Sequence, residues 1–278
     1  MAQVAADSQL EAIELQLLLE GVFLHYGYDF RHYALSSIRR RVWDRVRAEG
    51  CDTISQFQDR VLHDPASMER LLYALSVHMT SMFRDPEFFI AFRTLVVPAL
   101  KTYPYARIWH AGCSSGEEVY SMAILLEEEG LLDRCRVYAT DLNDAVLARA
   151  RSGRFPLRLM KEYTHNYNLA GGRRAFSEYY AVNLEHAVFR PELRRNVVFS
   201  QHNLATDSSF NEFHVVLCRN TMIYFNRVLQ DRVHQLIHES LIQFGILGLG
   251  NRESLRLTPH EKNYETLDER ARLYRKVR

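Results

Sequence analysis

Two acids open a helix directly behind a glycine turn in the stretch Ile108-Trp109-His110-Ala111-Gly112-Cys113-Ser114-Ser115-Gly116-Glu117-Glu118. The stretch reads as a short apolar strand, a turn of small residues and a helix start. Turns of this kind usually hold nucleotide phosphates, because unpaired backbone N–H groups at a helix N-terminus attract anions. Glu117 and Glu118 would repel a pyrophosphate and favour a ligand with a cationic amino-acid end. S-adenosylmethionine is an adenosine with a sulfonium, a free amine and no phosphate, and it fits better than NAD or ATP. Gly112 is then a candidate cofactor contact.

Asp141 ends the next strand, 29 positions after Gly112. An acid there accepts hydrogen bonds from ribose hydroxyls in doubly wound folds; the alternative is an N-cap for the helix beginning near Asn143, which Asp144 could also supply. Asn203, followed by Leu204, offers amide donors and a carbonyl acceptor suited to an adenine edge, or else caps a strand end as a turn residue. Cys218-Arg219-Asn220 and Ile223-Tyr224-Phe225 follow a further strand. Asn220 and Tyr224 could bracket the methionine end and the methyl acceptor, or form a buried aromatic turn. Arg84, in Thr80-Ser81-Met82-Phe83-Arg84, precedes a helix start and could reach into a cleft. His234 and His238 have a zinc-compatible spacing but no third ligand, and read as a solvated helix. No metal site is expected.

These residues need a frame. From about Ala106 the pattern alternates: a strand at Arg107–Trp109, a helix at 117–129, a strand at Arg136–Thr140 and a helix at 143–151. That alternation predicts a parallel sheet covered by helices, an α/β fold. Between about 155 and 200, short aromatic and β-branched pieces without a long helix predict a small antiparallel insertion before a return to the main sheet. Phe213–Cys218 reads as a buried strand, 227–244 as an amphipathic helix, and Gly245–Leu249 with 264–277 as closing strands. The first hundred residues look helical: Leu10, Ile13, Leu17 and Leu18 recur at helical spacing, and Asp64-Pro65 and Asp85-Pro86 mark helix starts.

The chain has 278 residues, 47% hydrophobic and 25% charged, with a formal net charge of +1, so no global field draws it to nucleic acid or membrane. Four cysteines without a CxxC pair indicate neither a zinc ribbon nor a redox dithiol. Acids among the first twenty residues and the lack of a long apolar run predict a soluble, cytoplasmic protein. Nothing demands an oligomer, and a monomer is expected. The segment 31–47 concentrates Arg39, Arg40, Arg41, Arg45 and Arg47 around a single acid, Asp44. On a nearly neutral chain such a strip predicts a docking surface for an acidic partner. Nucleic acid is disfavoured by the lack of interleaved aromatic residues.

Together "MTSMFRDPEFF", "IWHAGCSSGEEVYSMAILL", "VYATDLNDAVLARARSGRF", "FSQHNL", "VVLCRNTMIYF" and "GLGNRESL" resemble the CheR-type chemoreceptor glutamate O-methyltransferases. The motifs occur in the family's order, and "LHYGYDFRHYALSSIRRRV" is similar to its N-terminal domain. The resemblance implies a Rossmann-like class I methyltransferase sheet in residues 86–278, with a β subdomain inserted at about 155–200 and a helical receptor-docking domain in residues 1–85. It implies S-adenosylmethionine contacts from His78, Thr80, Arg84, Glu118, Asp141, Asn203, Leu204, Arg219 and Asn220, with Arg84 and Tyr224 beside the transferring methyl. It also implies that the arginine-rich helix docks on the cytoplasmic helical bundle of a chemoreceptor. The sequence departs from the family pattern at His78, often Asn, and at Met82, usually aromatic. No glycine occurs in 181–199, where members that grip a receptor C-terminal peptide carry glycine-containing turns; the expectation is that no such tether is needed.

The implied reaction asks little of acid–base chemistry. A glutamate side chain, with an ordinary pKa of about 4.3, is already a nucleophilic carboxylate at neutral pH. The barrier is alignment and desolvation. Arg84 is the candidate for orienting donor or acceptor, and Tyr224 for shaping the pocket and donating one hydrogen bond. The rival readings are a non-catalytic adaptor that senses S-adenosylmethionine or its product, a methyltransferase with another acceptor, and a nicotinamide oxidoreductase.

Overall fold

The computed structural model describes residues 2–76 and 80–278, with side chains from residue 8 onward. The chain forms two compact units: Met1–Val77 with Tyr224–Gln230, and His78–Ile223 with Asp231–Arg278. In this grouping residues 78–85 fall with the second unit, and a short segment far along the chain joins the helical unit.

The helical unit contains α1 (Ala2–Tyr26), α2 (Leu35–Ala48), α3 (Ile54–His63) and α4 (Pro65–Leu75). Leu15, Leu18, Leu19 and Val22 turn the buried side of α1 inward, while Leu10, Ile13 and Leu17 are exposed. Helix spacing was therefore legible in those leucines, but the core stripe lies on another face. Ile38, Val42 and Val46 recur every four residues and are fully buried, each contributing roughly 1.5–3 kcal/mol. Asp64 caps α4 by accepting from the N–H groups of Ala66 and Ser67, with Pro65 in the first turn.

The second unit begins with α5 (Pro86–Ala91), a π-helical stretch (Phe92–Val96) and α6 (Val97–Thr102). It continues through β1 (Ala106–Ala111), α7 (Glu117–Glu128), β2 (Cys135–Asp141), α8 (Asp144–Ser152), β3 (Arg154–Pro156), α9 (Met160–Leu169), β4 (Tyr180–Asn183), β5 (His186–Phe189), β6 (Val197–Gln201) and β7 (Phe213–Cys218). It closes with α10 (Arg227–Ser240), whose first residues group with the helical unit, then β8 (Leu241–Leu249), β9 (Tyr264–Asp268) and β10 (Leu273–Lys276).

The main sheet has the order β6-β2-β1-β7-β8-β10-β9. The first five strands run parallel, and β10 is antiparallel to both neighbours. This is the Rossmann-like class I methyltransferase sheet that the resemblance implied. Its central strands are apolar because helices cover both faces. Trp109, fully buried, stacks on Phe213 and donates its indole N–H to Thr140 Oγ1 at 2.8 Å, so the one polar atom of its ring is satisfied.

The insertion is a separate antiparallel sheet, β3-β5-β4. It differs from the expectation in two ways. Helix α9 lies within it, and Val197–Gln201 belongs to the main sheet, paired with β2. Both ends of α7 anchor it. Tyr163 donates to Glu117 in the first turn at 3.3 Å, while Tyr167 and Tyr179 donate to Glu128 in the last. A further difference concerns α10, which stops at Ser240: Phe244 adopts φ 64°, and β8 has already begun at Leu241. His234 is buried rather than solvated, and His238 stacks on His260 with ring centroids 4.9 Å apart. All four cysteines are buried and free. No described helix is long and apolar enough to cross a membrane.

Candidate active site

The loops following β6, β2, β1 and β7 lie side by side, because these strands are parallel neighbours in that order. Chain connectivity reverses direction between β1 and β7, the kind of switch point where α/β sheets bind ligands. The loop after β1 is shaped by left-handed residues: Gly112 at φ 80°, Ser114 at 50° and Gly116 at 96°. The N–H groups of Gly112 and Cys113 both donate to the Thr140 carbonyl, at 2.9 and 2.8 Å. Glycine is needed for close packing as well as for conformation. A Cβ on Gly112 would sit 2.6 Å from Thr221 Oγ1, and one on Gly116 would sit 2.8 Å from Ala150 Cβ.

Asp141 ties this loop to its neighbour. Its Oδ2 accepts from the Ser114 N–H at 2.9 Å and its Oδ1 from the Asn143 N–H at 3.0 Å. Burial pushes its carboxyl up, against the lowering effect of these donors. It does not cap α8; Asn143 does, accepting from the Ala145 N–H. Each carboxylate oxygen of Asp141 keeps acceptor capacity, as a ribose diol requires. The His202 N–H donates to the Asp141 carbonyl at 3.1 Å, which brings the Asn203 loop alongside. Asn203 acts as a turn residue, with its side-chain carbonyl accepting from the Ala205 N–H at 3.0 Å. That assigns its carbonyl to the turn, so its side-chain NH2 is the group left for a ligand. Leu204 is buried beside it.

The two acids behind the glycine turn have different fates. Glu117 is buried, accepts from Ser115 and Tyr163, and is pushed up by burial. It cannot serve as a second free anion in the crevice. Glu118 is the charged one. Burial would raise its carboxyl, but Arg219 and then His110 outweigh burial and hold it at about 2. Arg219, with a side chain 1% exposed, donates to Glu118 at 2.8 Å and to Asp85 at 2.9 Å, and lies 3.9 Å from the centroid of the Phe88 ring. The acids that flank this cation are therefore Glu118 and Asp85, not the adjacent pair Glu117 and Glu118.

Arg219 also donates to the Arg84 carbonyl at 3.2 Å. Arg84 sits between two left-handed residues, Phe83 at φ 52° and Asp85 at φ 57°. A phenylalanine in that region is strained, and the strain is held here by full burial of its ring. Thr80 is half-buried just upstream, and His78 lies outside the described residues. Asn220, also left-handed at φ 58°, follows Arg219. Tyr224 groups with the helical unit, where its carbonyl accepts from the Ala34 N–H at 2.8 Å and Arg41 lies 5.3 Å from its ring centroid. Arg84 and Tyr224 thus belong to different compact units.

The arginine strip on α2 is less bare than its sequence suggests. Arg39 pairs with Glu11, Arg45 with Glu49 and Arg47 with Asp44, while Arg41 donates to the Leu75 carbonyl at 2.6 Å. Arg40 is exposed and, among the described contacts, makes none.

Sequence reasoning missed Asp85, His110 and Glu253. Asp85 was read only as a helix start, although its side chain pairs with Arg219 instead of capping α5. His110 is a buried strand residue whose Nδ1 lies 3.0 Å from Glu118 Oε1. Glu253 lies in the GLGNRESL motif and accepts backbone N–H groups from Asn220, Thr221, Met222 and Gly250. Its place in that motif was its only signal. The remaining donor set suits S-adenosylmethionine. Asp141 would take the ribose hydroxyls. Glu118 and Arg219 would meet an amine and a carboxylate, and the buried Arg219 Nε and His110 Nε2 have no partner among the described residues.

Comparison with known proteins agrees with this geometry. Residues 78–271 match the family described as CheR methyltransferase, SAM binding domain, and residues 13–76 match CheR methyltransferase, all-alpha domain. A Pseudomonas putida protein designated Cher3 is 50% identical over 95% of this chain and 97% of its own length. A chemotaxis protein methyltransferase of Listeria monocytogenes is 28% identical, covering 87% of this chain and 90% of its own. The chain also matches 29% of a 104.1 kDa Rhodobacter capsulatus protein at 26% identity, over 98% of its own length.

Proposed function

The chain belongs to the CheR methyltransferase family, whose members use S-adenosylmethionine, and on that premise we propose that it methylates glutamate side chains on the cytoplasmic helical bundle of chemoreceptors. The observation that carries the reading is the convergence of Asp141, Glu118 and Arg219 from three neighbouring strand ends. Asp141 would hold ribose, and the Glu118–Arg219 pair would hold the amino-acid end. When bound, S-adenosylmethionine supplies an electrophilic methyl on a sulfonium. The name of the Listeria relative supports placing the reaction in chemotaxis. We assign the protein to the cytoplasm, as a monomer.

The residues of the chain have positioning and electrostatic work to do. The acceptor carboxylate is ionised without help, so no base is needed. Arg84 would orient donor or acceptor, and Tyr224 would bound the acceptor side. Arg40 on α2 would meet the acidic face of the receptor bundle. Each methyl ester removes one negative charge from that bundle and shifts its signalling equilibrium.

The direct test is transfer of labelled methyl from S-adenosylmethionine to chemoreceptor-containing membranes. Alkali-labile label on the receptor is expected, as for a carboxyl methyl ester. An unlabelled receptor, or alkali-stable label, overturns the assignment. A titration with a receptor C-terminal pentapeptide should show no binding; saturable micromolar binding would establish a tether.

A further inference from the structure

We propose that Glu253 is a positioning residue for the methyl-transfer step, clamping the loop behind β7 against the glycine turn behind β1. This rests on the methyltransferase reading of the site and adds a residue that the reading does not contain.

Glu253 is buried and lies just beyond β8, 33 positions after Asn220. Its Oε1 accepts from the N–H groups of Thr221 and Met222 at 2.8 and 2.7 Å. Its Oε2 accepts from Asn220 and Gly250 at 2.8 and 2.7 Å. Three consecutive main-chain donors therefore converge on one carboxylate. Asn220 is left-handed at φ 58°, a conformation asparagine tolerates well, so the clamped turn is sharp without strain at this residue.

The clamp reaches the cofactor loop through Thr221. Its hydroxyl lies 3.4 Å from both the Ala111 and the Arg219 carbonyls, either of which can accept from it, and Gly112 lacks a Cβ where one would meet that hydroxyl at 2.6 Å. From the other side, a Cβ on Gly250 would fall 2.6 Å from the Asn220 nitrogen and 2.8 Å from Glu253 Oε2. A single acid thus ties the loop behind β7 to the end of β8, with Thr221 packed against the glycine turn behind β1. The carboxylate touches neither Asp141 nor the Asn203 loop, which are assigned to the nucleoside. Loss of the clamp should therefore loosen the amino-acid end of the cofactor, where Arg219 and Asn220 sit, more than it loosens the nucleoside end.

The test is Glu253→Gln in the full chain. Glutamine turns one acceptor atom into a donor facing two N–H groups, at nearly constant volume. The expected result is a kcat at least thirtyfold lower on chemoreceptor membranes, with the Kd for methylthioadenosine, which lacks the amino-acid end, within threefold of wild type. A merely structural role would lower both together or neither, and either result overturns the proposal. If that variant does not fold, Gly250→Ala decides, because it keeps the carboxylate and displaces the same loop. The same split upholds the proposal; unchanged kcat, or parallel loss of kcat and affinity, overturns it. Hydrogen exchange on wild type needs no variant: the amides of Asn220, Thr221 and Met222 should exchange at least a hundredfold more slowly than free peptide, and rapid exchange overturns the clamp. An inactive wild type would count against the methylation reading; an active wild type with an equally active variant counts against Glu253.

Discussion

Arg219 reaches Glu118 with one guanidinium nitrogen and Asp85 with the other, at 2.8 and 2.9 Å, so one inaccessible cation joins the loop behind β7, the first turn of α7 and the segment leading into α5. Removing it strands two acids. Arg219→Ala should cost about 3–5 kcal/mol in urea unfolding, the usual penalty for breaking a buried pair from one side. It should also abolish measurable S-adenosylhomocysteine binding by calorimetry.

Glu118 gives that network a pH signature. Its carboxyl is held at about 2 in the folded protein, against 4.5 ordinarily, because Arg219 and His110 outweigh burial. A lowered folded value means the unfolded chain takes up the proton first on acidification. The stabilisation is complete above about 4.5 and lost as pH falls towards 2. Glu118→Gln should therefore be less stable than wild type at neutral pH, and the gap should close across that interval in denaturant titrations. A constant gap contradicts the assignment.

Arg84 stands between two residues with positive φ, a costly arrangement that fixes the course of the backbone at this position. Arg84→Ala should reduce receptor methylation more than a hundredfold while leaving the thermal midpoint nearly unchanged. Near-normal turnover would remove Arg84 from the mechanism.

Gly112→Ala tests the glycine turn. The new methyl must enter a left-handed position at φ 80° and meets Thr221 Oγ1 at 2.6 Å. Thermal or denaturant unfolding should register a loss of about 1–3 kcal/mol, combining the backbone and packing penalties.

On α2 the arginines should separate by role. Arg40→Glu should raise the apparent KM for receptor membranes at least tenfold without altering S-adenosylhomocysteine affinity, since Arg40 is exposed and engages no described partner. Arg41→Ala should instead destabilise the helical unit, because its guanidinium holds the last carbonyls of α4.

The sequence displays what is local. The alternation of strand and helix from Ala106, the left-handed glycines at 112 and 116, and the Asp-Pro helix starts all follow from spacing and backbone chemistry. What it conceals is non-local or ambiguous in period. Helix α9 buries Met160, Tyr163 and Tyr167 at helical spacing, but two of these are aromatic residues with equal appeal as strand formers. Leu241 and Ile242 continue the apolar pattern of α10, so the strand start leaves no mark until Gly245. Glu11 neutralises Arg39 from 28 positions away, and Glu253 serves a loop 33 positions upstream. No window of adjacent residues contains such pairings.

The burial of all four sulfur atoms has a practical corollary. Cys113 and Cys218 sit at the ends of β1 and β7, and burial drives both thiols well above their ordinary titration range. Only a thiolate attacks disulfides, peroxides or alkylating reagents at appreciable speed. Shifts in cellular redox poise should therefore leave these two cysteines unmodified. Ellman's reagent, blocked until the sheet opens, becomes a stopwatch for how often it does.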